Sequence, residues 1–173
     1  QTVIPQRRDR ETGAMRAVEV DDIAVAQCEL QGGALGTLEA SRVSTGTQDE
    51  LRLELHGSGG GLRFNLMDPN WLEAYDARPA EAAYGGDRGY RRIEAATRYG
   101  PPYSLGATKN TVGWMSFHIH SLFNFLGNVS AKLDGGQTSP LSPTFADGLA
   151  VQRVISAWIE SASVGRSVSI DWP

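Results

Sequence analysis

Residues 50–66 read ELRLELHGSGGGLRFNL, and this stretch decides the fold class. Before the glycines, leucine alternates with charged residues, and after them Leu62, Phe64 and Leu66 repeat the same period of two. Alternation with this period is typical of a strand that has one apolar face. The glycine-rich turn between the two halves predicts an antiparallel hairpin.

Further strand patterns lie on both sides of this hairpin, separated by short turns such as Gln-Gly-Gly at 31–33 and Asp-Pro-Asn at 68–70. Such spacing predicts a meander of antiparallel strands. Residues 77–112 show no sustained period apart from one short strand, which is typical of segments that form interfaces or sites. The predicted strands are residues 22–30, 34–43, 50–56, 62–66, 71–76, 89–94 and 167–171.

Two helices are predicted after the strands, over residues 114–133 and 144–163, because apolar residues there follow the helical period. Thr144 and Asp147 resemble a capping box, with Asp in place of the usual Glu, and Gly165 is a natural C-terminal stop. Strands followed by helices indicate an α+β fold, with an open-faced, largely antiparallel sheet and helices packed on one face.

The second face of such a sheet must meet water or a partner, since two helices cover one face. Ile23, Val25, Leu35 and Thr37 alternate onto that face and are not strongly polar. We therefore predict that the open face of the sheet is an oligomer interface.

The length, charge and cysteine content of the chain exclude several classes of function. A length of 173 residues suits a single domain. The net charge is −4 and the basic residues are scattered, which argues against nucleic-acid binding. The lone cysteine, Cys28, rules out an internal disulfide and a thiolate metal cluster. No apolar run approaches the roughly 20 residues of a membrane span, and a reducing cytoplasm is the expected compartment.

The glycines at 57–61 do not form a dinucleotide-binding loop. Position 62 is Leu, so the third glycine of GxGxxG is missing, and the segment joins two predicted strands rather than a strand and a helix. A hairpin turn that requires positive φ accounts for them. No cofactor-binding residue is therefore predicted in this chain.

His118 and His120 stand two apart on a predicted helix, so their side chains point about 200° apart and cannot chelate one metal. We predict no metal site. His118 shares a face with Trp114 and Leu122 and can be a half-buried histidine, while His120 lies on the other side. Contact with a substrate is the alternative for each.

The polar segment 42–49 is longer and richer in hydrogen-bonding groups than a hairpin requires. Hydroxyls, an amide and a carboxylate at a strand end suit a polyhydroxylated ligand, and a solvated loop is the alternative. From the residues alone, no self-sufficient catalytic site is predicted. The candidate substrate-binding residues of this segment are Arg42, Thr45, Thr47, Gln48 and Asp49.

Three stretches in order resemble one protein family. Residues 21–26 with 33–42 are similar to the opening of the C-terminal domain of the Gfo/Idh/MocA oxidoreductases, and 50–60 with 62–64 to its next strand pair. Residues 145–154, ending near 160–162, resemble its final helix. The similarity covers nearly the whole chain, and its order and spacing together make it specific.

The resemblance implies a C-terminal, substrate-side and oligomerising domain over residues 1–173, paired with an N-terminal Rossmann domain that this chain lacks. It implies an NAD- or NADP-dependent dehydrogenase of sugars or polyols, with the cofactor on the missing domain and a homodimer or homotetramer formed through the open sheet face. The family's catalytic Glu-Lys-Pro and Asp-xxx-His motifs do not occur here, so no catalytic residue is transferred and the chain alone is expected to be inactive.

The resemblance also implies that segment 44–49 corresponds to a region in which relatives such as inositol dehydrogenase carry substrate-contacting residues. The tyrosines that some relatives carry there are absent, which leaves the particular sugar open. A non-catalytic dimerisation or sugar-binding module of the same family is the alternative.

Overall fold

The computed structural model describes residues 1–78, 88–94 and 111–172. These residues form short strands over the first part of the chain and two long helices near its end. The strands are β1 (Gln6–Arg8), β2 (Met15–Ala17), β3 (Ile23–Glu29), β4 (Leu35–Ser41), β5 (Arg52–Gly57), β6 (Gly60–Asn65), β7 (Trp71–Asp76) and β8 (Arg91–Glu94); the helices are α1 (Trp114–Leu133) and α2 (Phe145–Val164).

All strand pairing among the described residues is antiparallel. It forms two two-stranded sheets, β1–β2 and β3–β4, and one four-stranded sheet with the order β5–β6–β7–β8. The predicted α+β class, with open antiparallel sheets and helices, is confirmed. Most of the segment predicted to be irregular, at 79–87 and 95–110, lies outside the described residues.

The chain divides into two compact units. The first contains Gln1–Thr47 and Leu149–Pro173, and the second contains Gln48–Gly148. The boundary at residue 149 falls inside α2, and the boundary at 47 falls inside the polar segment 42–49.

The first unit begins with the hairpin β1–β2, which the sequence analysis did not predict. Its turn is held by Asp9, whose carboxylate accepts hydrogen bonds from the backbone N–H groups of Glu11 (3.0 Å) and Thr12 (2.8 Å). Gly13 has φ +70°, a conformation that favours glycine. The pattern Asp9-x-x-Thr12-Gly13 is therefore a turn signal, because an Asp side chain can replace a backbone acceptor.

The same unit contains the predicted hairpin β3–β4. Gly32 and Gly33 both have positive φ (+97° and +83°), and the Leu30 N–H donates to the Ala34 carbonyl at 2.7 Å. Two consecutive positive φ angles match the right-handed twist of the strands. The strand register places Ile23, Val25, Leu35 and Thr37 on one face, as predicted.

Asp22, which immediately precedes β3, is the one fully buried side chain among the described residues. Its carboxylate accepts hydrogen bonds from the backbone of Val3 (2.9 Å) and Ile4 (2.8 Å) and forms an ion pair with Arg7. The Ile4 hydrogen bond is the largest cause that lowers the pKa of Asp22, and Arg7 and Arg42 act in the same direction. A buried carboxylate is tolerated here because it is hydrogen-bonded and paired.

The second unit contains the four-stranded sheet. The β5–β6 turn is a two-residue loop, since Gly57 pairs directly with Gly60. Gly60 has φ +148°, so the prediction that positive φ explains these glycines is confirmed there, but it is wrong for Gly57, Gly59 and Gly61, which do not have positive φ. The segment joins two antiparallel strands and leads into no helix.

Both helices have the predicted bounds to within a residue. At the start of α2, the backbone N–H of Thr144 donates to the Asp147 carboxylate (2.7 Å), and the Asp147 N–H donates to the Thr144 hydroxyl (3.4 Å). The predicted capping box is therefore confirmed. After α2, Gly165 has φ +68° and its N–H donates to the Ser161 carbonyl, as a C-terminal stop requires.

The predicted strand at 167–171 is wrong. These residues have no strand partner within the described part of the chain, and the Arg153 guanidinium of α2 donates to the Asp171 carbonyl at 3.0 Å. Val168 and Ile170 are half-buried while Ser167 and Ser169 are exposed. The alternation of apolar and polar residues therefore corresponds to an alternation of burial, with Val168 and Ile170 lying along α2. It does not produce a strand, because a strand needs a neighbouring strand to satisfy its backbone groups.

No hydrophobic side chain is buried among residues 1–78, 88–94 and 111–172. Along α1, Met115, Leu122 and Leu126 are 72%, 62% and 61% exposed, and on β5 Leu53 and Leu55 are 51% and 52% exposed. Contiguous apolar surface of this kind marks interaction sites. None of the helices in the described parts of the chain has the length and apolar character needed to span a membrane.

Candidate functional site

The loop after β4 is organised by hydroxyl groups. Ser44 Oγ lies 2.8 Å from Ser41 Oγ, and both the backbone N–H and the hydroxyl of Thr47 donate to the Ser44 carbonyl, at 3.2 and 2.6 Å. Gly46, inside this turn, has φ +95°. The loop backbone is therefore fixed by hydrogen bonds within the turn.

Three of the predicted substrate-binding residues, Arg42, Thr45 and Thr47, lie on this loop in the first unit, and all are exposed. The Arg42 backbone N–H donates to the Asp22 carbonyl at 2.9 Å, and the Arg42 charge helps to lower the pKa of Asp22. The buried Asp22 thus anchors the start of the loop. Thr47 uses its hydroxyl within the turn, which leaves fewer hydrogen-bonding positions for a ligand than the sequence suggested.

Gln48 and Asp49 follow in the second unit and are also exposed. The Gln48 carbonyl accepts from the Glu50 N–H at 2.6 Å, which fixes the backbone there. Within the described residues, neither side chain makes a hydrogen bond or ion pair. Their role as substrate contacts stays a prediction.

His118 and His120 lie on α1 in the second unit. His118 is exposed, with its ring 6.5 Å from the Trp114 ring, and His120 is half-buried with interactions of its own. The expected half-burial thus falls on His120 and not on His118. The reason is that no described neighbour covers the Trp114 and Leu122 side of α1, where both side chains are about half exposed or more. In the described residues, no group of three or more metal-ligating side chains could hold a metal ion.

A polar cleft on the four-stranded sheet was not predicted. It has a volume of about 310 Å³, and Arg52, Glu54, Arg63, Trp71, Glu73 and Arg92 are among its lining residues. Nearby, Glu50 accepts from the Arg52 guanidinium (2.5 Å) and the Asn65 amide (2.7 Å), and the Arg52 bond is the largest cause that lowers the pKa of Glu50. The alternation of charged and apolar residues in β5 placed Arg52 and Glu54 on one face of that strand. The cleft could not be predicted because the residues beside them on β6, β7 and β8 depend on the strand register.

The glycine-rich turn at 57–60 does not fit the pyrophosphate of a nicotinamide dinucleotide. It connects two antiparallel strands, so no helix N-terminus follows it to hold a pyrophosphate.

Sequence comparison finds one protein family and one characterised relative that are similar to this chain. Residues 2–63 match the family described as GFO/IDH/MocA C-terminal domain. Levoglucosan dehydrogenase of Pseudarthrobacter phenanthrenivorans is 29% identical over 156 residues, covering 87% of this chain and 36% of that protein.

Solved structures match over nearly the whole chain. An oxidoreductase domain protein from Kribbella flavida has a TM-score of 0.81 and 32% identity, over 99% of this chain and 43% of that one. Levoglucosan dehydrogenase in complex with NADH and levoglucosan has a TM-score of 0.76 and 26% identity, over 100% of this chain and 43% of that one. The chain thus spans less than half the length of these relatives. The family match over residues 2–63 and the structural likeness over the whole chain together confirm the resemblance to the C-terminal domain of the GFO/IDH/MocA oxidoreductases.

Proposed function

We propose that this chain forms the substrate-side domain of a nicotinamide-dependent dehydrogenase that oxidises a hydroxyl group of a sugar or polyol. The observation that carries the proposal is the structural likeness over the whole chain to a levoglucosan dehydrogenase with NADH and levoglucosan bound. The cofactor, NAD or NADP, is held by a part of the protein outside these residues, because the glycine turn at 57–60 does not suit a pyrophosphate.

The role of this chain is to bind and orient the sugar. Arg42 and Thr45 on the first unit, and Gln48 and Asp49 on the second, present exposed hydrogen-bonding groups at the end of β4 and just before β5. Groups of this kind select a hydroxylated ligand through directional hydrogen bonds. His118 and His120 on α1 are further candidates. When bound, the nicotinamide would accept hydride from the carbinol carbon and groups outside this chain would accept the hydroxyl proton, so the chain by itself is expected to be inactive.

Exposed apolar surface on α1 and on β5 supports a role within a larger assembly. We include in the proposal a homodimer or homotetramer formed through an open sheet face, and a cytoplasmic location.

The test is made on the longest available protein that contains this chain. Reduction of NAD and of NADP is followed by absorbance with levoglucosan, other pyranoses and inositol as substrates. Gln48→Ala and Asp49→Asn are expected to raise KM about three- to tenfold, since the first removes a hydrogen-bonding amide and the second replaces a charged acceptor by a weaker, neutral one. Asp21→Asn is the matched control: it also replaces an exposed carboxylate by an amide, but outside the segment.

Oxidation of one of these sugars with a raised KM in the two variants supports the proposal. Sugar binding without nicotinamide binding or turnover indicates the alternative, a non-catalytic sugar-binding or dimerisation module. Failure to bind any hydroxylated ligand overturns the dehydrogenase and the sugar-binding module and leaves only the dimerisation module.

A further inference from the structure

The polar cleft lies on one face of the four-stranded sheet, within the second unit. The register pairs Glu54 with Arg63, Arg63 with Glu73 and Glu73 with Arg92. Residues directly opposite on neighbouring strands share a face, so these four side chains lie side by side across the cleft. Its volume of about 310 Å³ is at the lower end of the roughly 300–1,000 Å³ typical of small-molecule sites. The cleft therefore suits one small ligand.

The arginines of the cleft are held in place by neighbouring side chains. The Arg63 guanidinium lies 4.0 Å from the centre of the Tyr90 ring, and the Arg92 guanidinium lies 4.7 Å from the centre of the Trp71 ring. Arg92 also pairs with Asp68 at 2.5 Å. These contacts restrict both guanidinium groups before a ligand binds, so less conformational entropy is lost on binding.

The two central groups of the cleft are not satisfied by the sheet. In the described part of the chain, the Glu73 carboxylate makes no ion pair or hydrogen bond, although it lies between Arg63 and Arg92. Arg63 donates no hydrogen bond to a described residue. Its Nε atom is buried without a hydrogen-bond partner, 3.6 Å from the Glu54 carboxylate. A carboxylate acceptor and a guanidinium donor are therefore adjacent, and both retain hydrogen-bonding capacity.

The lining of the cleft favours a neutral ligand that carries hydroxyl groups. A hydroxyl both donates and accepts hydrogen bonds, so a molecule with adjacent hydroxyls can donate to Glu73 and accept from Arg63 at the same time. Trp71 is half-buried and adds an apolar surface for the carbon skeleton. The charged lining residues have no net charge, which does not favour an ionic ligand; they are Arg52, Arg63, Arg92, Glu54, Asp68 and Glu73.

The geometry points to a second binding site in this cleft, which takes a neutral sugar or polyol. Glu73 accepts a hydrogen bond from one ligand hydroxyl, Arg63 donates to a neighbouring hydroxyl, and Trp71 contacts the ligand carbons. The described lining residues all lie outside segment 42–49, and the oligomer face predicted from the sequence lies on β3 and β4. The inference therefore goes beyond the proposed function, which places the substrate at segment 42–49.

The experiment measures binding to the protein that contains this chain, without nicotinamide cofactor. Isothermal titration calorimetry uses glucose, inositol and levoglucosan as probes. Glu73→Ala and Arg63→Met are each expected to weaken binding about tenfold or more, since each removes charge-assisted hydrogen bonds to the ligand. Circular dichroism checks that each variant is folded, and if one of the two does not fold, the other tests the same site.

Arg91→Met is the matched control. It removes a guanidinium from the same sheet, as Arg63→Met does, but Arg91 precedes Arg92 on β8 and therefore lies on the opposite face. Arg91→Met is expected to bind the probes like the wild type. Gln48→Ala is compared in the same titrations, since Gln48 belongs to the proposed substrate segment and not to the cleft.

The outcomes separate this inference from the proposed function. Weaker binding in the two cleft variants, with wild-type binding in Arg91→Met, supports the second site. Binding that Gln48→Ala weakens and the cleft variants leave unchanged overturns the second site and leaves the proposed function in place. Binding of inorganic phosphate that depends on Arg63, without binding of any of the three probes, overturns the neutral class of ligand. Absence of all binding overturns the second site, even if a sugar is oxidised when the nicotinamide is present.

Discussion

Gly60 lies against the backbone of Tyr75 so closely that a Cβ atom on residue 60 would be 2.0 Å from the Tyr75 carbonyl oxygen. Its φ of +148° is also a conformation that side-chain-bearing residues rarely adopt. The contact joins the start of β6 to the end of β7, and it exists because residue 60 has no side chain.

Gly60→Ala is therefore expected to destabilise the protein by about 2–3 kcal/mol, since it adds both a backbone clash and an unfavourable φ. Urea unfolding followed by circular dichroism measures the change. Gly59→Ala is the control one residue away, where a Cβ would meet nothing within 4 Å. Equal effects of the two substitutions would contradict the close approach at Gly60.

The reciprocal cap between Thr144 and Asp147 should stabilise the start of α2. Thr144→Ala removes the hydroxyl that accepts from the Asp147 N–H and donates to its carboxylate at 2.6 Å. We expect a loss of about 1 kcal/mol in the free energy of unfolding. Ser142→Ala is a nearby control with the opposite expectation, because the Ser142 hydroxyl is buried without a hydrogen-bond partner and its removal should cost little.

Asp22 should make stability depend on pH in the acid range. Hydrogen bonds from the backbone of Ile4 and Val3, together with Arg7, hold its pKa below the usual value of 3.8 in the folded protein. A lowered folded pKa means that the stabilisation is present above about pH 4 and is lost as the pH falls through the folded value.

Asp22→Asn should therefore lower the free energy of unfolding at neutral pH and flatten its decrease toward acid. Denaturant unfolding at about pH 7 and about pH 3 measures both effects. Asp21→Asn is the control, since Asp21 precedes Asp22 in the chain and is 70% exposed. An unchanged acid slope in Asp22→Asn would show that other carboxylates control acid unfolding.

Asn128 of α1 should stabilise the position of the segment around Ser139, which follows that helix. Its amide donates to the Ser139 carbonyl (3.0 Å) and accepts from the Ser139 N–H (2.7 Å). Asn128→Ala removes both hydrogen bonds, and we expect a loss of about 1–2 kcal/mol and faster hydrogen exchange at Ser139. Asn124→Ala, one helical turn earlier, is the control, and equal exchange at Ser139 in the two variants would exclude the tether.

Several elements could be predicted because their signals are local. The alternation in β5 and β6, the paired glycines between β3 and β4, and the Thr144–Asp147 cap each depend on residues within a few positions of one another. The β1–β2 hairpin was missed because its strands have three residues each and carry little apolar alternation. Its signal lies in the turn instead.

The sequence by itself determined the α+β class and the helix bounds, since hydrophobic period, turn chemistry and capping each depend on residues that are close in sequence. It also carried the resemblance to the family. The tertiary structure alone decided the strand register, and with it the alignment of Glu54, Arg63, Glu73 and Arg92 on one face of the four-stranded sheet. It also decided that residues 167–171 lie along α2 without a strand partner and that Asp22 is buried beside Arg7. These features join residues distant in sequence, and which groups meet there depends on how the whole backbone satisfies its hydrogen bonds and charges.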